Sequence, residues 1–212
     1  MLGYVFFVFR LIKKQFYIPY NRLKLKLNNA TIGDNCNVFN KTYVLFHKGT
    51  KVVIGDNFTL KSDDFLNPLG RNFVSGIYAA NNAEIIIGNN VGASSVCIWS
   101  TSKIVIGNYV KIGADVTILD NDAHSMDFFI RRDISKDIAN ACPITIEDDV
   151  LIGTRSIILK GVTIGARSII GAGSVVTKSI PADCIAAGNP CRVIRSLKSQ
   201  TLHGDDMSGD KE

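Results

Sequence analysis

Three histidines occur in this chain of 212 residues, and one stands in a polar cluster. His124 lies in the run Asp120-Asn121-Asp122-Ala123-His124-Ser125-Met126-Asp127. An alcohol is a poor nucleophile while it keeps its proton, and imidazole is the side-chain type that takes such a proton near physiological pH. It can then hand the proton to a departing group. A carboxylate on the other ring nitrogen fixes the tautomer and stabilises the imidazolium. Asp122 and Asp120 are the carboxylates at hand, and a backbone carbonyl is the alternative. The chemistry in view is general-base catalysis of group transfer to a hydroxyl, with His124, Asp122 and Asp120 as catalytic candidates. No residue stands out as a covalent nucleophile, so direct attack in a ternary complex is expected. His203 is assigned no role. The histidines are too far apart in sequence for a three-histidine metal site, and no metal is expected. The five cysteines (Cys36, Cys97, Cys142, Cys184, Cys191) show no CxxC spacing. They read as reduced thiols of a cytoplasmic protein.

The elements on either side of His124 follow one rule. In residues 144–181 an aliphatic side chain recurs every six positions: Ile146, Ile152, Ile158, Ile164, Ile170, Val176. Four positions after each comes Val150, Ser156, Val162, Ser168, Ser174 or Ile180. Six is neither the helical period nor the two-residue period of a plain strand. A short strand and a tight turn, repeated, keep one aliphatic pointing inward each time, which is the signature of a parallel β-helix stabilised between neighbouring coils. Gly153, Gly165 and Gly171 follow the aliphatic and suit corners where φ is positive or the backbone is crowded.

Earlier copies of the corner stand at Ile32-Gly33-Asp34-Asn35, Ile54-Gly55-Asp56-Asn57, Ile87-Gly88-Asn89-Asn90 and Ile106-Gly107-Asn108-Tyr109. Asn and Asp there tolerate the left-handed region and bond their own backbone. The expected layout is an N-terminal apolar and basic segment (1–28), a β-helix (29–181), an exit segment (182–198) and a disordered tail (199–212). Residues 61–83 break the pattern and are expected to bulge or form an irregular coil. Trp99 reads as rim packing. Residues 120–143 form a loop inserted between coils, and loops of that length in a compact domain are usually functional or disordered. Pro143 restarts the repeat. An apolar content of 46% with only 8% aromatics fits a core of stacked Ile and Val.

Charge is concentrated at one end. Residues 1–26 hold Arg10, Lys13, Lys14, Arg22, Lys24 and Lys26 and no acid, against a net charge of +5 for the whole chain. A nucleic-acid protein would carry its basic patch on the folded body, so that class is excluded. The apolar run before Arg10 is too short to span a bilayer and has neither a basic region ahead of it nor a cleavage site, so it does not read as a signal peptide. Two readings remain. A helix packs on the first coil or on a neighbouring subunit, or residues 1–26 lie in a membrane interface with their cations on anionic lipid.

The repeat, followed by Ala186-Ala187-Gly188-Asn189-Pro190-Cys191-Arg192-Val193-Ile194-Arg195, resembles the hexapeptide-repeat acyltransferases, in particular the maltose, galactoside and surface-polysaccharide O-acetyltransferases. The resemblance covers roughly residues 85 to 196. It implies an all-β left-handed parallel β-helix with three hexapeptides per coil, a homotrimer, and acetyl-CoA as acyl donor in a groove between subunits. A catalytic histidine in a loop before a Pro-Ile-x-Ile strand is a mark of the family, and His124 precedes Pro143-Ile144-Thr145-Ile146 in that way. By position, Gly153 and Thr154 would meet the thioester end, with a backbone N–H on the oxyanion. Ala172 would lie along the pantetheine. Thr177, Lys178, Arg192 and Arg195 would meet the nucleotide, where guanidinium groups suit phosphate. Leu151 departs from the family's frequent Trp. The expectation is a cytoplasmic O-acetyltransferase, at the inner face of the membrane if the N-terminus binds lipid, acting on a sugar or lipid-linked glycan of lipopolysaccharide or capsule. Acceptor specificity is expected from residues 61–83 and 120–142. The alternatives are an acetyltransferase for serine or a small xenobiotic, and a scaffold without activity.

Overall fold

The computed structural model describes residues 2–62, 67–70 and 73–197. The tail expected from 199 to 212, with His203, lies outside the described residues. After helix α1 (Leu2–Leu27) the chain winds through six coils of three strands each among the described residues. The first coil is β1 (Thr31–Ile32), β2 (Asn37–Phe39) and β3 (Thr42–Phe46). The second is β4 (Lys51–Ile54), β5 (Thr59–Lys61) and β6 (Ser75–Ala79). The third is β7 (Glu84–Ile87), β8 (Gly92–Ser94) and β9 (Cys97–Ser100). The fourth is β10 (Lys103–Ile106), β11 (Lys111–Ala114) and β12 (Thr117–Leu119). The fifth is β13 (Ile144–Ile146), β14 (Leu151–Ile152) and β15 (Ile157–Ile158). The sixth is β16 (Thr163–Ile164), β17 (Ile169–Ile170) and β18 (Val175–Val176). A last strand pair, β19 (Cys184–Ala187) and β20 (Arg192–Ser196), ends the described chain.

Each coil gives one strand to each of three sheets, which form the faces of a prism and are parallel except where β20 runs antiparallel to β19. The first sheet is β1-β4-β7-β10-β13-β16, the second β2-β5-β8-β11-β14-β17-β19-β20, and the third β3-β6-β9-β12-β15-β18. Register holds the aliphatics in columns. Ile32, Ile54, Ile87, Ile106, Ile146 and Ile164 stack one above another. Every member of the six-residue series from Ile146 to Val176 is fully buried. Burying an Ile side chain is worth about 1.5–3 kcal/mol, so the columns dominate the stability of the rod.

The corners settle what their glycines do. Left-handed φ falls two residues past the glycine, on Asn35, Asn57, Asn90, Tyr109, Arg155 and Arg167, and on Asp149 at the corner where Glu147 replaces the glycine, but not on Gly153, Gly165 or Gly171. Those three are crowded instead. A Cβ on Gly165 would sit 2.3 Å from the Ala182 amide nitrogen and 2.7 Å from its Cα. The corner Asx side chains also differ from expectation, for they tie successive coils together instead of bonding their own backbone. The Asp34 amide donates to Asp56 Oδ1 (2.7 Å), the Asp56 amide to Asn89 Oδ1 (2.8 Å) and the Asn89 amide to Asn108 Oδ1 (2.9 Å). Overpacking against backbone costs about 1–3 kcal/mol, and Gly165→Ala should lower the melting temperature by several degrees. Gly76, in β6, has nothing within 4 Å of its missing Cβ. Gly76→Ala should leave the melting temperature unchanged or raise it, because glycine weakens a strand interior. Thermal melts of the two variants side by side check both statements.

The irregular stretch is shorter than 61–83. Ser75–Ala79 joins the third sheet, with Ser75, Ile77 and Ala79 facing in. Its two-residue alternation, with no Ile-Gly corner, disguises it in the sequence. At the open end of the rod, α1 closes the first coil. Asn21 and Leu25 are buried against it, Asn21 Nδ2 donates to the carbonyls of Val38 (2.9 Å) and Asn40 (2.8 Å), and Lys24 Nζ donates to that of Thr42 (2.7 Å). A parallel ladder ends in unpaired carbonyls, and this helix supplies their donors.

Candidate active site

Residues 120–143 leave the prism between β12 and β13, at the edge where the third sheet turns into the first. The neck is closed by backbone bonds from Cys142 N to Asp120 O (2.9 Å) and from Asp122 N to Asn140 O (3.1 Å). Beyond the neck, Ala123 takes φ 62° and turns the chain outward. A single helical turn, α2 (Phe128–Arg131), is capped by Asp127, whose Oδ1 accepts from Phe129 N at 2.8 Å. Arg131 Nη1 donates to Ser125 O at 2.7 Å and fixes the segment that carries His124.

His124 is held by Asp137, not by Asp122 or Asp120. Its Nδ1 lies 2.6 Å from Asp137 Oδ2, and Asp137 Oδ1 accepts from the Ser125 amide at 2.6 Å. The Ser125 amide first, and then the imidazole, hold the Asp137 carboxyl below the ordinary carboxylate range. An ionised carboxylate only accepts, so Nδ1 carries the hydrogen and Nε2 of the neutral ring keeps its lone pair. The side chain is 67% exposed, and that lone pair is available to a substrate hydroxyl.

Asp120 and Asp122 are spent elsewhere, and this corrects their assignment to the imidazole. Asp120 is wholly buried and accepts from Ser100 Oγ (2.7 Å), Thr101 N (2.8 Å) and Ser102 N (2.9 Å), so it seals the turn between β9 and β10. Asp122 pairs with Lys160 Nζ at 2.9 Å on the next coil. Sequence adjacency favoured these two. Asp137 sits thirteen positions on from His124, and its one sequence cue is that it is a further carboxylate within the same loop.

The residues assigned to the acyl donor fall on two different edges. Gly153, Thr154 and Ala172 line the edge between the second and third sheets. The Gly153 amide is committed to Ile170 O at 2.8 Å, which removes it as an oxyanion donor. At the Asx corners the amide after the glycine is bonded by an Asx side chain of the next coil. Ala172, which occupies that place above Thr154, has none to offer. Among the described residues no acceptor is paired with the Thr154 amide. Thr154 also borders a groove of about 540 Å³ on the outer face of the second sheet, with Gly92, Ser94, Gly113, Lys111 and Leu151. Asn67 and Leu69, from the irregular stretch, and Lys61 complete its wall. Thr177 and Lys178, exposed just after β18, sit on the same edge as His124. Arg192 and Arg195 project from β20, exposed at the end of the second sheet. The loop around His124 also exposes Met126, Phe128, Phe129, Ile134 and Ile138, an apolar cluster that a monomer would leave in water.

Residues 143–178 match the family described as the hexapeptide repeat of succinyl-transferase. The chain is 34% identical over 164 residues to a galactoside O-acetyltransferase of Lactococcus lactis, covering 74% of this chain and 71% of that one. It is 39% identical over 128 residues to the galactoside O-acetyltransferase of Escherichia coli, covering 60% of this chain and 61% of the relative, so it spans only about three-fifths of that protein. The crystal structure of a hexapeptide-repeat-containing acetyltransferase from Vibrio cholerae superposes with a TM-score of 0.53 at 32% identity, covering 68% of this chain and 73% of that one. These relatives are named as acetyltransferases, and the rod of parallel coils superposes on the Vibrio cholerae structure. The chain belongs to the hexapeptide-repeat acetyltransferase family, and its prism is a left-handed parallel β-helix.

Proposed function

We propose that this protein transfers acetyl from acetyl-CoA to a hydroxyl of a sugar, with His124 as general base. The observation that carries the reading is the Asp137–His124 pair, which leaves Nε2 free at the tip of a projecting loop. Acetyl-CoA supplies the activated acyl group. Its fit rests on the unpaired Thr154 amide and the adjoining groove, with Thr154 and Ala172 along the arm and Lys178, Arg192 and Arg195 toward the phosphates. Nε2 takes the proton of the acceptor hydroxyl as its oxygen bonds to the acetyl carbon, and gives it to the sulfur as the C–S bond breaks. The Thr154 N–H is the donor for the negative charge on the acetyl oxygen.

His124 and Thr154 stand on different edges of one prism, so a complete site needs two protomers. In a trimer, the edge of one protomer bearing His124, Thr177 and Lys178 meets the partner's edge bearing Thr154 and Ala172. The exposed apolar residues of the loop favour the same arrangement, because assembly would cover them. The acceptor we favour is a sugar of a surface glycan such as lipopolysaccharide or capsule, modified on the cytoplasmic side. The galactoside specificity named for two relatives supports a sugar hydroxyl.

The test is thiol release from acetyl-CoA against galactosides, surface oligosaccharides, lipid-linked glycans, serine and a small hydroxylated xenobiotic, with mass measured by light scattering. Sugar-dependent release by a particle of three chains is expected. Release with serine or the xenobiotic alone would replace the sugar reading by the small-molecule one. No release with any acceptor favours the scaffold.

A further inference from the structure

The face of α1 that closes the first coil is set by Asn21 and Leu25. At about 100° per residue, Ile12, Phe16, Leu23 and Leu27 fall on the opposite face, where they are 60%, 61%, 57% and 74% exposed. Tyr20 flanks them, its ring stacked on that of Phe16 at 5.7 Å. The stripe is about 22 Å long at 1.5 Å per residue. It continues onto the body through exposed Tyr43 and Leu45 of β3, with a recess of about 350 Å³ between helix and sheet. Lys24 and Lys41 stand in that recess among the aromatic rings. A contiguous apolar strip of this length is unusual on a surface that meets only water.

Charge decides what covers it. Residues 1–26 carry six cations and no acid, whereas the rest of the chain is close to neutral. A second copy of the same helix would set cations against cations, which disfavours self-pairing. No described helix is long and apolar enough to cross a membrane. We propose that α1 docks this protein, end on, against an anionic lipid surface, with Phe16, Tyr20 and Leu23 in the headgroup layer, the exposed Lys26 on a lipid phosphate and the net positive charge of residues 1–26 drawing the helix there. Helices with one aromatic and aliphatic face and basic flanks bind membranes in this way. In the proposed trimer three such stripes share one end of the particle, so weak single contacts would add as avidity. A lipid-linked acceptor would then be met at the surface that holds it.

The experiment is co-sedimentation of the full chain with vesicles of phosphatidylcholine alone or mixed with phosphatidylglycerol, at low and high salt. Binding is expected at least about tenfold stronger to the anionic vesicles and weakened by salt, since each basic residue near such a surface adds about fivefold. Phe16→Glu combined with Leu23→Glu should abolish binding, and Lys26→Glu should weaken it by about tenfold or more. Both variants should keep the wild-type melting temperature and particle mass, because all three side chains are exposed. Equal binding to neutral vesicles, no binding at low salt, or undiminished binding by the double variant overturns the proposal. So does a change of particle mass in the double variant, which would make the stripe a contact between protein chains. None of these readouts depends on acetyl transfer, so the docking proposal and the proposed activity stand or fall separately.

Discussion

Replacing His124 with alanine is expected to lower kcat by about 10²- to 10⁴-fold, the usual contribution of a positioned general base. The melting temperature and acetyl-CoA affinity should not change. The imidazole is two-thirds exposed and touches the fold through one bond to Asp137. The neck of its loop is closed by Asp120, Asp122, Asn140 and Cys142 through backbone bonds that the substitution leaves intact. The lost activity is therefore chemical and not structural. Some turnover should survive, because positioning of both substrates and the Thr154 amide act without the base. Single-turnover rates at saturating donor, with donor binding measured by calorimetry, separate the two quantities. A loss smaller than about tenfold would place the base elsewhere.

The rod itself was legible because its grammar is local. One inward aliphatic every six residues fixes register, and the columns through Ile146, Ile152 and Ile158 follow with no long-range knowledge. The loop was legible as an interruption of the same grammar between Leu119 and Ile144. Inside the loop the grammar stops. Which carboxylate faces His124 depends on Ala123 in the left-handed region, on the Asp127 cap and on Arg131 reaching Ser125 O. None of these is a periodic signal, so chain proximity pointed to Asp122 and Asp120. The donor residues show the same limit. Six-residue spacing assigns Thr154 and Ala172 to one edge and the loop to another. That Gly153 has already given its amide to Ile170 follows only from the coil above. Likewise β6 carries its inward side chains by twos, and it disappeared into a stretch that looked irregular throughout.

Asp137→Asn should lower kcat by about 10²- to 10⁴-fold, nearly as much as removing His124, without contacting any substrate. The carboxylate accepts from both the Ser125 amide and His124 Nδ1, and so dictates which ring nitrogen keeps the hydrogen. An asparagine of the same shape has one oxygen for these two donors. If that oxygen serves Ser125, its NH₂ faces Nδ1 and drives the hydrogen to Nε2, where the lone pair was needed. The ring also loses the negative charge that stabilises its protonated form. Imidazole ¹⁵N shifts should report the exchanged tautomer, a signature that mere loosening of the loop would not give. Asp122→Asn is the matched control. It weakens the half-buried pair with Lys160 but leaves Nδ1 on Asp137, so kcat should stay within about threefold of wild type, the small loss expected when a pair remote from the ring is weakened. The sign with pH follows from the lowered carboxyl of Asp137. Its stabilising tie to Ser125 and His124 is fully present above the ordinary value of 3.8 and is lost only as pH falls through the lower value of the folded state. Any decline in kcat/KM that begins above pH 4 therefore belongs to another group. If Asp137→Asn were as active as wild type while Asp122→Asn failed, the imidazole would be oriented on the neck of the loop and not at its tip.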